Sequence, residues 1–122
     1  MTFRILGMAV VAAGLLCAAN PKVEQAKAQL KDGKFEQAIS ALEAEHKAKP
    51  KDDEVRLALA DAKLQYGESV MNDRQLPPFR KYPTALRQFR QVLELDKNNK
   101  KAQSNIALIE GIYKQMGRPV PQ

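Results

Sequence analysis

With 122 residues, 20 Lys and Arg against 14 Asp and Glu, and a formal charge of +6, the chain has room for one domain and not for two. An apolar fraction of 44% and a charged fraction of 28% are ordinary for a globular protein. Tryptophan is absent and aromatic residues make up only 6%, so the core must come from Ala, Leu, Ile and Val. The positive balance permits acidic partners without requiring them.

Residues 1–19 differ in composition from everything that follows. Arg4 supplies a positive start, Ile5 to Leu16 is an unbroken apolar run, and small residues follow at Ala18 and Ala19. The run is shorter than the roughly 20 apolar residues a membrane-spanning helix needs. It reads as a secretory signal cleaved after Ala19, which places the protein outside the cytoplasm, in the periplasm or cell envelope. Two alternatives stay open at this point: an uncleaved membrane anchor, or lipid attachment at Cys17, which follows Leu16 where a small residue is usual. Cys17 is the only cysteine, so the processed chain would hold none and could form no disulfide.

Residues 20–117 read as one helical domain. Asn20 and Pro21 are a helix start, and Val23, Ala26 and Leu30 recur on one face of a first helix. Gly33 ends it in the left-handed conformation. A second helix runs from Phe35 to about Ala48 with Phe35, Ala38, Ile39 and Leu42 inward, and Glu43, Glu45, Lys47 and Lys49 expected on the wet side. Pro50 stops it, because proline has no N–H to give and restricts Lys49 before it. Asp52 and Asp53 open a third helix carrying Val55, Leu59, Ala62 and Tyr66 on one face. No breaker follows Gly67 before Arg74, so this helix is expected to run on to about Asp73.

Leu76 to Pro83, LPPFRKYP, holds three prolines and reads as a stiff extended loop. Thr84 to Leu95 is the fourth helix, with Ala85, Leu86, Phe89, Val92 and Leu93 inward. After the turn residues Asp96 to Asn99 comes a fifth helix, about Lys100 to Met116, with Ile106, Ile109, Tyr113 and Met116 on one face. Residues 118–122, rich in proline, are expected as a flexible tail.

Two segments of this chain match each other. Phe35, Ala38, Ile39 and Leu42 correspond to Tyr82, Ala85, Leu86 and Phe89 at one constant interval. Upstream, Ala26, Leu30 and Gly33 correspond to Ala60, Leu64 and Gly67 at a shorter one, and the difference locates an insertion at 68–81. The alanines mark close helix approach, about 8–10 Å between axes. Hairpins of this kind cannot bury their apolar face alone, so they stack. The pattern resembles the tetratricopeptide repeat, the helix-turn-helix unit of roughly 34 residues. The expected fold is therefore an all-α, helix-turn-helix repeat stack, a TPR-like α-solenoid of two repeats plus a C-terminal capping helix.

That resemblance implies a binding scaffold whose concave face, formed by the first helix of each pair, holds a peptide or protein segment. In register, the residues facing it would be Val23, Lys27, Glu54, Leu57, Asp61, Lys101, Ser104, Asn105 and Leu108. Lys101 matches one position of the carboxylate clamp found in some relatives, but Asn105 stands where an arginine is expected, so that specificity is not carried over. A second candidate surface is the insertion, where Phe79, Arg80 and Lys81 lie near Arg87 and Arg90. Such insertions often carry function.

No catalytic constellation is visible, and the chain is read as a non-enzyme. His46 is the only histidine and reads as a solvated helix residue, since a metal site needs three or four donors. Glu43 and Glu45 do not face each other on a helix. Ser40, Ser69, Thr84 and Ser104 lack the context of a nucleophile, and no glycine-rich phosphate loop is present. No cofactor and no metal are expected. Lysines cluster at 47, 49 and 51 and again at 97, 100 and 101, which reads as solvated surface; nucleic acid is not expected. An anionic envelope polymer or lipid headgroup is the alternative partner to a peptide.

Overall fold

The computed structural model describes residues 20–122, so the signal, anchor and Cys17 readings lie outside the described residues. Five helices follow one another: α1 Pro21–Lys31, α2 Phe35–Ala48, α3 Asp53–Met71, α4 Pro78–Leu95 and α5 Lys100–Gln115. Each packs on its neighbours in sequence, and α1 and α5 both also touch α3. The architecture is a stack of helix hairpins, all-α among the described residues.

Local chemistry sets most helix ends where the sequence puts them. The Asn20 side chain accepts from the Lys22 N–H at 2.9 Å, with Pro21 at the first helical position. Asp52 accepts from the Glu54 and Val55 N–H groups, and Asn99 from that of Ala102. Gly33 ends α1 with φ +73°, a conformation that favours glycine. Arg56 reaches across from α3 to donate to the Leu95 carbonyl at the end of α4, satisfying an orphan acceptor there.

Two apolar cores lie on either side of α3. Val23, Ala26, Leu30, Ala38 and Leu42 meet Val55, Leu59 and Ala62 of α3 in the first. Ala60 and Leu64, on the other side of α3, meet Ala85, Leu86, Phe89, Val92, Ala102, Ile109 and Tyr113 in the second. Leu95 packs against both. Ala38 and Ala85 are each fully buried, as close helix approach requires. Phe35 stacks on Tyr66 with ring centroids 5.9 Å apart.

The insertion is helical on both sides, which corrects the loop reading of Leu76 to Pro83. α3 continues past Gly67 to Met71, reaching 19 residues against 11 for α1. α4 begins at Pro78, six residues before the expected Thr84, and Pro83 lies inside it. The reason is positional. Pro77 is the N-cap and Pro78 the first helical residue, places where a backbone N–H is not needed. Only Pro83 removes an interior donor, and the carbonyl it leaves belongs to Phe79 in the exposed first turn.

Gly67 marks where the long hairpin closes tightly. A Cβ built there would lie 2.7 Å from Cε1 of Phe89, so the missing side chain is a notch for that ring.

Five further residues sit differently from expectation. Glu45, placed on the wet side by its charge, is buried against α1. Met116 lies beyond the end of α5 and is 44% exposed instead of facing inward. His46 is half-buried rather than solvated, and its Nδ1 is enclosed without a hydrogen-bond partner among the described residues. In the tail, Val120 packs against the second core and the Pro121 carbonyl accepts from Arg90 at 2.9 Å.

Candidate functional site

α1, α3 and α5 share one side of the stack, and that side holds two depressions separated by α3. The first lies between α1 and α3 and encloses about 320 Å³. Its walls are Val23, Ala26 and Leu30 of α1 and Leu57 and Ala58 of α3, with Leu42 of α2 behind them. Lys27, Glu54 and Asp61 stand at its edges, so the charged groups rim an apolar floor. Leu57 is 46% exposed, a large apolar side chain left to solvent at the mouth.

The second depression lies between α3 and α5 and is lined by Glu68, Lys100, Lys101, Ser104 and Asn105. It is polar, and Asn105 donates across it to the Glu68 carboxylate at 3.4 Å. Leu108, one turn beyond Ser104 on α5, is 55% exposed and lines neither depression. Leu57 and Asp61 therefore fall in one groove and Lys101, Ser104 and Asn105 in the other.

Charge is distributed unevenly between the two grooves. Lys27 pairs with Glu24 at 3.4 Å, whereas Glu54, Asp61, Lys100 and Lys101 enter no ion pair among the described residues. Asp61 accepts instead from Gln65 at 2.7 Å. The groove between α1 and α3 thus carries the unpaired Glu54 and the Gln65-bound Asp61, and the one between α3 and α5 the unpaired Lys100 and Lys101 beside Glu68.

The five residues of the second candidate surface, Phe79, Arg80 and Lys81 with Arg87 and Arg90, do not gather into one patch. Phe79, 70% exposed, lines a hollow of about 480 Å³ with Pro78, Tyr113, Met116 and Arg118. Arg87 and Arg90 line another with Pro83, Gln91, Glu94 and the C-terminal Pro121 and Gln122. Arg80 is exposed and lines neither. Lys81 is half-buried, donates to the Asp73 carbonyl at 3.4 Å and lies 5.2 Å from the centre of the Tyr82 ring.

Two buried charges escaped sequence reasoning, and both are structural. The Glu45 carboxylate takes Lys49 at 3.1 Å, Lys22 at 3.2 Å and the Asn20 amide at 3.4 Å. Lys49 first, then Lys22, hold its pKa below the ordinary value against the opposing effect of burial. Spacing could have found it, because Ala38, Leu42 and Glu45 fall on one face at i, i+4 and i+7. Lys63 is buried on α3, donating to Glu43 of α2 at 2.8 Å and to Gln91 of α4. No local pattern marks that bridge.

Among the described residues no group of three or more His, Cys, Asp or Glu side chains is placed to hold a metal ion. No described helix is long and apolar enough to cross a membrane. No family model, no curated protein and no solved structure matches the chain.

Proposed function

We propose that the protein is a non-catalytic scaffold or adaptor of the bacterial cell envelope, built on tetratricopeptide-like repeats and holding a peptide or protein segment on its concave face. The observation that carries this reading is the groove between α1 and α3, whose mostly apolar lining includes the exposed Leu57 together with Lys27, Glu54 and Asp61. Ligand sites have this composition, a concave apolar lining with a few polar groups that fix orientation. Leu108 on α5 is a second exposed apolar side chain, separate from the groove, for a segment long enough to cross all three helices. The apolar segment 1–19, read as an export signal, supports a partner outside the cytoplasm.

Selection of a random peptide library against the purified protein tests the assignment. Enriched sequences are expected to carry an apolar anchor residue, and Leu57→Asp should abolish their capture while leaving the helical content unchanged. Capture that survives Leu57→Asp, or no enrichment at all, would reject the concave face. The N-terminus of the protein recovered from the envelope tests export, with residues 1–19 expected to be missing.

A further inference from the structure

One end of the stack is formed by the C-terminus of α3, the N-terminus of α4 and the C-terminus of α5, and its surface is of one kind. Phe79 stands out from it, 70% exposed, beside Met116, 44% exposed, across a shared hollow. Arg118 lines the same hollow, Arg80 follows Phe79 directly in the chain, and Lys114 and Arg74 lie at the end of α5 and just beyond α3; all four are exposed and none enters an ion pair among the described residues. Acidic groups are nearly absent. Asp73 is the single one between residues 69 and 93, its side chain already accepts from the Gln75 N–H, and residues 111–122 contain none.

We propose that this end docks on the surface of an anionic lipid bilayer, with Phe79 and Met116 entering the headgroup region and the four cations meeting lipid phosphates. The charge pattern selects the occupant. A bilayer interface takes an exposed aromatic ring and a basic rim together, each contributing to the same binding event. A soluble anionic polymer would use the cations and leave Phe79 in water. Docking at this end is separate from the concave groove between α1 and α3, so a segment could be held while the molecule lies on a membrane.

The absence of tryptophan gives the test a site-specific reporter that residues 1–19 cannot imitate. In the full chain, Phe79→Trp introduces one emitter at the proposed point of entry. Vesicles of equal parts phosphatidylglycerol and phosphatidylcholine are expected to shift its emission to the blue, and pure phosphatidylcholine vesicles to leave it unchanged. Combining it with Arg80→Gln and Arg118→Gln should weaken the response about tenfold or more at low salt. Salt near 1 M, where the screening length is ~3 Å, should reverse it. No shift with the anionic vesicles, an equal shift with neutral ones, or insensitivity to removing the two arginines would overturn the proposal. A shift with soluble polyphosphate but not with vesicles would overturn it as well, in favour of a polymer.

Discussion

Glu45 is where a single residue decides how the first hairpin closes. A helix contact there favours a small side chain, and the chain instead buries a carboxylate among Lys22, Lys49 and Asn20. Its pKa is lowered in the folded state, so the unfolded chain binds the proton more readily. The stabilisation is therefore present above the unfolded value of about 4.5 and is lost as pH falls through the lower folded value. Urea unfolding followed from neutral pH into this acid range should show a steeper fall for the wild type than for Glu45→Gln; parallel curves would remove Glu45 from the account. Gly67 gives a second residue-scale expectation. Gly67→Ala adds a methyl 2.7 Å from the Phe89 ring, and overpacking of that kind costs about 1–3 kcal/mol. Alanine is the better helix former by about 1 kcal/mol, so a rise in thermal midpoint would mean that Phe89 moves aside freely.

At the scale of elements, much of the stack is legible because small residues and periodicity speak for backbone geometry. Ala38 and Ala85, matched in sequence, are both fully enclosed, and the inward sets of α1 through α4 are buried or packed against a core except Tyr66, which stacks on Phe35 at the edge. Ala38→Leu or Ala85→Leu should cost about 1–3 kcal/mol in urea unfolding, against little change for the exposed Ala44→Leu. The start of α4 was not legible for a physical reason. Proline is favoured at the first helical position and penalised in the interior, and three prolines close together read as a breaker until the helix start is known. Glu45 and Lys63 were hidden for a related reason, since charge argues for solvent and Lys22, Glu43 and Gln91, which help to bury them, lie on other helices. Within α4, Pro83→Ala restores the donor to the Phe79 carbonyl. It should raise stability by roughly 1–2 kcal/mol after allowing for the freer unfolded chain. A lower midpoint would show that the proline ring packs in a way the helix needs.

For the whole molecule, α3 is shared by two cores and joined to its neighbours by Lys63 and Arg56, so the halves should unfold together. Coincident transitions by circular dichroism and by tyrosine absorbance would show this. The same helix carries the wall common to both inner grooves, which ties the candidate site to the most constrained part of the fold. Sequence register placed residues of α1, α3 and α5 on the inner side, but it could not show that Leu57 and Asp61 face one hollow and Lys101 and Asn105 another. That division depends on how far α3 stands between its neighbours, a distance no single helix encodes. The most direct measurement of the central claim is an amide chemical-shift map recorded with a peptide obtained by selection. Shifts are expected along the inner positions of α1, α3 and α5, at Lys27, Leu57, Asp61, Lys101 and Leu108. Shifts confined to the outer faces of α2 and α4, with those five positions unmoved, would contradict it.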